Sequence, residues 1–265
     1  MPGKLPGRPL SIMYLKERLA RGECLLGAGI YSGSPEIVEY ACRGMDWIWL
    51  DAQHSHADWQ MLIHVVRAAH GIGVPVLVRT WTHDGGTIER LLDTGAEGII
   101  VPMVDTPEQA RAIVERCYYP PKGRRSFGAV RPERIEEDVA EWNRRIVTVL
   151  QIETPEGVRN AEAIARVPGV DALHVGGRDL ALRLGRPATE YSMAAAVKEE
   201  LESVVASCRR AGKAAAVISF TPDILRDCLA QGYTLICAGM DVDRLAEDYR
   251  RMREAFRLLA PSRKE

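Results

Sequence analysis

Eight short apolar runs recur along the chain of 265 residues and are its strongest constraint on the fold. They cover residues 24–30, 47–54, 74–80, 98–104, 146–153, 171–177, 213–219 and 234–240. Each run is almost continuously apolar, which is typical of parallel strands that are buried on both faces. Amphipathic stretches separate the runs, and no linker interrupts the series. Eight strand–helix units in one domain of residues 1–265 predict the α/β class and a (β/α)8 TIM barrel.

Four of the intervening stretches open with the same helix-start signal, a hydroxyl residue followed by proline. These hydroxyl residues are Ser34, Thr106, Thr154 and Thr221. Successive runs begin 21 to 27 residues apart, except after the fourth and sixth, where the gaps are 48 and 42 residues. We expect both long connections to lie on the functional face of the barrel, with the loop at 121–133 helping to shape the substrate site.

Two helices flank the eight units. A helix near residues 11–21 is expected to close the bottom of the barrel. The C-terminal helix carries an apolar stripe at helical spacing, formed by Leu245, Tyr249, Met252, Phe256 and Leu259. Such a stripe must be covered, either by its own barrel or by a neighbouring subunit.

Composition narrows the range of partners. Lys and Arg total 35 against 36 Asp and Glu, so a net charge of −1 gives no general attraction to nucleic acid or to acidic membranes. No apolar stretch approaches the ~20 residues of a membrane span, and the N-terminus lacks the apolar core of a signal peptide. The six cysteines are widely spaced without a C-x-x-C pair, which argues against disulfides and thiolate metal sites. We expect a cytoplasmic protein that acts on a small molecule.

Polar groups gather where the predicted strands end, the region in which barrel enzymes carry their active sites. The set comprises Asp51, His54, Arg79, Gln151, Glu153, Gly176, Gly177 and Asp179. Carboxylates on adjacent strands, such as Glu153 and Asp179, repel each other unless a cation lies between them. A hard divalent ion such as Mg²⁺ or Mn²⁺ suits this pair and keeps positions open for a chelating oxo-acid. Backbone N–H groups at Gly176 and Gly177 could bind the carboxylate of that oxo-acid.

Arg79 and His54 supply the remaining chemistry. A permanently charged arginine can stabilise negative charge that develops on a keto oxygen during enolate formation. Histidine is suited to carry protons near neutral pH. Either Asp51 or Asp93 could orient His54, and the sequence alone does not choose between them.

An ordered set of motifs, spread from about residue 27 to 241, resembles the HpcH/HpaI family of metal-dependent class II pyruvate aldolases. The matching pieces are Asp51-x-x-His54, Arg79, Leu92-Asp93-x-Gly95, Val101-Pro102-Met103-Val104, Tyr119-Pro120-Pro121-x-Gly123-x-Arg125, Gln151-Ile152-Glu153-Thr154 and Gly176-x-x-Asp179-Leu180. The resemblance implies a lyase that reversibly cleaves a 4-hydroxy-2-oxo acid into pyruvate and an aldehyde through a metal-bound pyruvate enolate. Related members act on sugar-acid derivatives or decarboxylate oxaloacetate, which is the alternative activity for the same site.

The resemblance also implies roles for individual residues. Glu153 and Asp179 would bind Mg²⁺ or Mn²⁺, with Co²⁺ as a further option, and Arg79 would stabilise the enolate. His54 with Asp93 would move protons through water. The family further implies a homohexamer, a trimer of dimers whose barrels exchange their C-terminal helices.

Three residues depart from the family pattern, and the departures bear on substrate choice. Gln53 replaces a glutamate, while Gly177 and Arg178 replace a proline and a small residue. We expect metal binding to survive these changes. Arg178 places a positive charge beside Asp179 and could favour a more acidic substrate, or it could simply face solvent.

Three other classes of protein remain as alternatives. The His54-x-His56 pair with His174 and Asp241 is similar to the zinc ligands of amidohydrolases, although those enzymes place the histidine pair on the first strand. Gly27-Ala28-Gly29, with Asp51 downstream, loosely matches a dinucleotide fingerprint, but Gly33 falls one position late. A barrel that binds an oxo-acid without catalysis is the third alternative.

Overall fold

A closed barrel of eight parallel strands forms the centre of the molecule in the computed structural model, which describes residues 14–128, 138–188 and 195–260. Each strand pairs with the next along the chain, and the last pairs with the first. The strands are β1 Leu25–Ile30, β2 Trp47–Asp51, β3 Val76–Arg79, β4 Gly98–Val101, β5 Val147–Ile152, β6 Ala172–Val175, β7 Ala214–Ile218 and β8 Leu235–Met240. Each strand lies within a predicted apolar run, so the predicted (β/α)8 barrel is confirmed.

Helices surround the barrel and cover its outer face. They are α1 Leu15–Ala20, α2 Pro35–Ala41, α3 Trp59–Gly71, α4 Gly85–Asp93, α5 Pro107–Cys117, α6 Val139–Arg145, α7 Pro155–Ala165, α8 Gly177–Arg183, α9 Lys198–Ala211, α10 Pro222–Gln231 and α11 Asp241–Leu259. The four predicted hydroxyl–proline starts open α2, α5, α7 and α10. In each of these helices the hydroxyl oxygen accepts a hydrogen bond from a backbone N–H of the first turn, which satisfies a donor that has no partner within the helix.

Two tryptophans of β2 fill much of the barrel interior. Trp47 and Trp49 are both buried and belong to the interior cluster, with their rings 6.3 Å apart. Small residues of other strands accompany them: Ala172, Ala214 and Ala216 belong to the same cluster, and a Cβ added to Gly27, the register partner of Trp47, would lie 2.5 Å from its ring. Large indoles on one side are thus matched by glycine and alanine on the other.

Helix α1 closes the end of the barrel at which the strands begin. Leu15 and Leu19 pack into the interior cluster. The Lys16 ammonium donates to the Asp171 carboxylate and to the carbonyl of Ile146, both at 2.8 Å, just before β6 and β5 start. The predicted role of this helix is confirmed for the residues that the structure describes.

The described parts of the two long connections lie at opposite ends of the barrel. After β6 the chain enters α8 at the end where the strands finish, as expected. After β4, however, α5 starts almost at once and the extra residues follow it. Arg125 of this connection binds Asp93, which lies near the start of β4. Within one chain the described part, 121–128, therefore lies away from the ends of the strands, and the role of the loop at 121–133 in the substrate site stays a prediction.

Helix α11 leaves its apolar stripe uncovered. Of its 19 residues only Asp241 is buried. The five stripe residues have exposed fractions from 49% at Leu245 to 83% at Leu259. The stripe is thus not covered by its own barrel. Within the described ranges, no helix combines the length and apolar character that crossing a membrane requires.

Candidate active site

A buried ion pair joins the ends of β2 and β3. Asp51 and Arg79 are register partners, and the guanidinium donates two hydrogen bonds to the carboxylate, one from Nε at 2.9 Å and one from Nη2. Arg79 also lies over the ring of Trp49, with 5.3 Å between its guanidinium carbon and the ring centroid. Because both side chains are buried and the contact is bidentate, the positive charge of Arg79 is held in one position.

Asp51 also organises the loop that carries His54. Its Oδ1 accepts hydrogen bonds from the backbone N–H groups of Gln53 at 2.9 Å and His54 at 3.3 Å. From the other side, the Tyr31 hydroxyl donates to the carbonyl oxygen of His54. Asp51 thus positions the backbone of His54, whose side chain is exposed.

The loop containing Tyr31 is itself tied to the start of α11. The carboxylate of Asp241 accepts hydrogen bonds from the backbone N–H of Tyr31 at 2.8 Å, and from the backbone N–H and hydroxyl of Ser32. Asp241 is buried in this arrangement. Asp241 therefore connects the loop after β1 to the helix after β8, which is a structural role and not that of a zinc ligand.

Glu153 stands at the end of β5 with both carboxylate oxygens engaged. Oε2 accepts the backbone N–H of Met103 at 2.8 Å, and Oε1 accepts Nε2 of Gln151 at 2.7 Å. Met103 adopts a left-handed backbone conformation with φ of 55°, which is uncommon for a residue other than glycine and clusters at functional sites. Burial raises the pKa of Glu153 above its ordinary value, and the charge of Asp179 raises it further, while the Met103 N–H and Arg79 oppose the shift.

The second carboxylate comes from the first turn of α8. Asp179 is the third residue of this helix, and Gly176 is the residue immediately before the helix begins. A Cβ added to Gly176 would lie 2.3 Å from Oε1 of Glu153, so the missing side chain leaves the space that this carboxylate occupies. The N–H of Gly176 donates to the carbonyl of Ile152, which leaves the N–H groups from Gly177 onward to face an anion.

The residues present fit a hard divalent cation. Glu153 and Asp179 are close enough for one charge to raise the pKa of the other, and a cation between them would remove this repulsion. Two carboxylates leave several positions for water or substrate oxygens, as Mg²⁺ requires. The described residues contain no group of three or more His, Cys, Asp and Glu side chains that could hold a metal.

The zinc alternative has no such support. His174 lies inside the barrel and makes an edge contact with Trp49, whereas His54 and His56 are exposed on the loop after β2. All six cysteines are free, and five of them are buried.

Asp93 lies at the opposite end of the barrel from His54. It is the last residue of α4, four residues before Glu97, whose N–H donates to the carbonyl of Val76 at the start of β3. Its carboxylate binds the buried guanidinium of Arg125 at 2.7 Å. Within one chain Asp93 therefore lies away from His54, and its role in orienting His54 stays a prediction.

The three departures from the family pattern lie in different surroundings. Gln53 has its side-chain oxygen buried without a hydrogen-bond partner in the described parts of the chain. Gly177 is buried as the first residue of α8, and Arg178, the second, is exposed. Arg178 therefore stands beside the candidate site and is exposed.

Sequence reasoning placed Met103 in a matching motif without a role in the site, and it missed Tyr31. Met103 contributes a backbone N–H, which leaves no trace in residue type, and Tyr31 binds a carbonyl in a loop with no motif of its own. His174 was noted only for the zinc alternative, because its neighbours across the strands could not be seen from the sequence.

Comparisons with known proteins agree with this fold. The family model described as HpcH/HpaI aldolase/citrate lyase matches residues 31–247. A 2-keto-3-deoxy-L-rhamnonate aldolase of Escherichia coli is 33% identical over 232 residues, which cover 85% of this chain and 86% of that protein. The crystal structure of an HpcH/HpaI aldolase from Desulfitobacterium hafniense DCB-2 has 28% identity and a TM-score of 0.85, covering 96% of this chain and 100% of that one. The citrate synthase SbnG has 28% identity and a TM-score of 0.77, covering 92% and 96%.

The chain belongs to the HpcH/HpaI aldolase/citrate lyase family. It is an enzyme of the aldolase type, a carbon–carbon lyase that acts on small molecules.

Proposed function

We propose that this enzyme reversibly cleaves a 4-hydroxy-2-oxo acid to pyruvate and an aldehyde. The observation that carries the proposal is that Glu153 after β5, Asp179 in the first turn of the helix after β6, and Arg79 at the end of β3 lie at one end of the barrel. This arrangement pairs two candidate ligands for a cation with a fixed positive charge. The rhamnonate aldolase relative favours 2-keto-3-deoxy sugar acids as the substrate class.

Glu153 and Asp179 would hold Mg²⁺, Mn²⁺ or Co²⁺, with Gln151 and Met103 fixing the orientation of Glu153. When bound, the cation would supply Lewis-acid polarisation of the keto group. We assign the carboxylate of the oxo-acid to the free N–H groups at the start of α8, from Gly177 onward.

Arg79 would stabilise the negative charge that collects on the keto oxygen as the C3–C4 bond breaks. Asp51 keeps the guanidinium in place for this purpose. His54, on the exposed loop beside Asp51, would accept the proton of the C4 hydroxyl through water and return a proton to the enolate carbon. Arg178 would select an acidic aldehyde portion by its charge.

The test is exchange of the methyl protons of pyruvate in D₂O, followed by NMR. Exchange should require a divalent cation, stop with EDTA, and be lost in Glu153→Gln and Arg79→Ala. A Lys198→Gln variant, changed on an exposed helix, should exchange at the wild-type rate. Full-rate exchange after EDTA treatment would contradict the proposal, and cation binding without exchange would favour a non-catalytic oxo-acid binder.

A panel of 4-hydroxy-2-oxo acids, assayed for release of pyruvate, tests the substrate class. Acyclic sugar-acid derivatives should give the highest kcat/KM. Release of pyruvate from oxaloacetate alone, with no aldehyde formed from any member of the panel, would favour decarboxylation instead.

We further propose that a second copy of the chain covers the stripe on α11, and that exchanged C-terminal helices build a hexamer of paired barrels. Four of the five stripe residues are more than 60% exposed, a contiguous apolar surface that is typical of an interface. Tyr249→Glu and Met252→Glu should reduce the mass measured by light scattering, whereas Glu254→Gln on the same helix should not. A wild-type monomer would contradict this assembly.

Assembly also bears on Asp93. Since it cannot reach His54 of its own chain, a shared role in proton transfer would need Asp93 of one copy and His54 of another. Mixed oligomers of His54→Ala and Asp93→Asn should then regain part of the activity that each variant lacks alone. No recovery in verified mixed oligomers would leave Asp93 with its structural role toward Arg125.

A further inference from the structure

His174 is an unexplained polar group inside the barrel. Its side chain is only 3% exposed, and neither ring nitrogen has a hydrogen-bond partner within residues 14–128, 138–188 and 195–260. The preceding inward residue of β6, Ala172, belongs to the interior cluster, so His174 also points into the barrel. Buried polar groups are almost always satisfied by protein or by ordered water.

Two neighbours of His174 also carry a buried polar atom that has no hydrogen-bond partner within the described residues. Its ring lies 4.9 Å from that of Trp49 in an edge-on contact, and its register partner on β5 is Gln151. The indole Nε1 of Trp49 and the side-chain Oε1 of Gln151 are both buried without partners in the described structure. The same layer thus contains a donor from Trp49, an acceptor from Gln151, and the imidazole of His174, which offers one donor and one acceptor.

This layer lies directly beneath the candidate metal site. The Gln151 amide donates from Nε2 to Oε1 of Glu153, and Arg79 lies over the ring of Trp49. Burial and the charge of Arg79 lower the pKa of His174 to about 3. The imidazole is therefore neutral, so it can donate one hydrogen bond without adding charge under the cation.

The orientation of the Gln151 amide is the point at which this layer affects the site. If the amide were reversed, its oxygen would face the carboxylate of Glu153 and the two acceptors would repel each other. A hydrogen-bond donor to Oε1 of Gln151 would therefore hold the amide with its Nε2 toward Glu153. Neither Trp49 nor His174 makes a direct hydrogen bond to Oε1 of Gln151. A single water could accept a hydrogen bond from each of them and donate one to this oxygen.

We propose that His174, Trp49 and Gln151 enclose one ordered water, through which His174 acts as a positioning residue for Glu153. The inference rests on the proposed function, because it gives Glu153 the role of a metal ligand. Replacing His174 with phenylalanine keeps the ring and its contact with Trp49 but removes the hydrogen bonds. Replacing it with asparagine keeps a donor and an acceptor in less volume.

The first experiment measures the affinity for Mn²⁺ by EPR of the free ion, together with kcat and KM. His174→Phe should weaken Mn²⁺ binding by roughly tenfold, within the range for residues that support metal ligands, while His174→Asn should stay within about threefold of the wild type. Val149→Ala removes an interior side chain of β5 two residues before Gln151. This control should lower stability while leaving Mn²⁺ affinity unchanged.

The second experiment looks for the water itself in the wild-type protein. An NOE between water and the indole N–H of Trp49, lost in His174→Phe or weakened in Gln151→Leu, would support the enclosed site. No such NOE, or wild-type Mn²⁺ affinity in His174→Phe, would overturn the inference. If the phenylalanine variant does not fold, Trp49→Phe removes the other donor and should weaken Mn²⁺ binding in the same way.

The outcomes separate this inference from the proposed function. A wild-type protein that binds no divalent cation would refute the metal site, whereas the NOE would still report on the water. A wild-type protein that binds Mn²⁺ and exchanges pyruvate protons, with unchanged affinity in His174→Phe, would refute only the positioning role.

Discussion

A single methyl group at position 176 should disable the candidate metal site. In Gly176→Ala the new Cβ would lie 2.3 Å from Oε1 and 2.5 Å from Cγ of Glu153, whereas carbon atoms in contact are about 3.5–4.0 Å apart. The carboxylate must therefore move by about 1 Å or more. That movement breaks its hydrogen bonds to Met103 and Gln151, which are 2.8 and 2.7 Å long.

Backbone strain adds little to the change, because φ of −83° and ψ of 76° at Gly176 fall in the inverse γ-turn region, which is not restricted to glycine. We expect Mn²⁺ affinity to fall by about 10- to 100-fold, in line with the effect of disturbing groups that orient metal ligands. Overpacking in this buried region should also lower the free energy of unfolding by about 1–3 kcal/mol. Mn²⁺ titration by EPR and urea denaturation measure the two effects.

Gly71→Ala provides the matched control. Its added Cβ would meet nothing within 4 Å, and it lies in the last turn of α3, far along the chain from the site. This variant should keep the wild-type affinity and gain slightly in stability, because alanine is the better helix former. If Gly176→Ala bound Mn²⁺ as tightly as Gly71→Ala and cleaved substrate at the same rate, the packing of Gly176 against Glu153 would not matter for function.

Three further predictions follow from buried and exposed charges. Asp51→Ala should lower the free energy of unfolding by about 3 kcal/mol or more in urea denaturation, because it leaves the buried guanidinium of Arg79 unpaired. As a control, Asp223→Ala in an exposed ion pair should change this free energy by about 0.5 kcal/mol or less. Burial raises the pKa of the five buried cysteine thiols from about 9 to about 11–12, so the unfolded chain loses these protons first. Unfolding free energy should therefore fall as pH rises above 9, by up to about 1 kcal/mol per pH unit for each thiol, and a flat profile from pH 8 to 10 would contradict this reasoning. Arg178→Ala should lower kcat/KM for dicarboxylate substrates by about tenfold more than for neutral analogues, and equal losses would retire the proposed selectivity.

The fold could be predicted because its main cause is local. Each strand of a parallel barrel must be apolar on both faces, and each helix start needs a donor partner, so runs and caps appear directly in the sequence. The position of extra residues was harder to predict. A gap of 48 residues after the fourth run does not show whether the added length precedes or follows α5, yet this decides at which end of the barrel it lies.

The candidate site could be predicted only in part, for a related reason. Residues at strand ends, such as Arg79 and Glu153, share one end of the barrel by topology alone. Asp93 ends a helix, and therefore lies at the other end despite its place in a matching motif. Contacts made through backbone groups, such as the N–H of Met103, depend on the folded path of the chain. They cannot be predicted from residue type, because almost every residue carries the same backbone groups.

The carboxylate of Asp241 links the geometry of the His54 loop to the order in which the chain is synthesised. It holds Tyr31, which is 210 residues earlier, and Tyr31 in turn binds the carbonyl of His54. The ribosome must add 210 residues after Tyr31 before this clamp can form. A nascent chain that does not yet contain Asp241 could therefore assemble most of the strands while the His54 loop was still untethered, so that this loop would reach its final geometry late in biosynthesis.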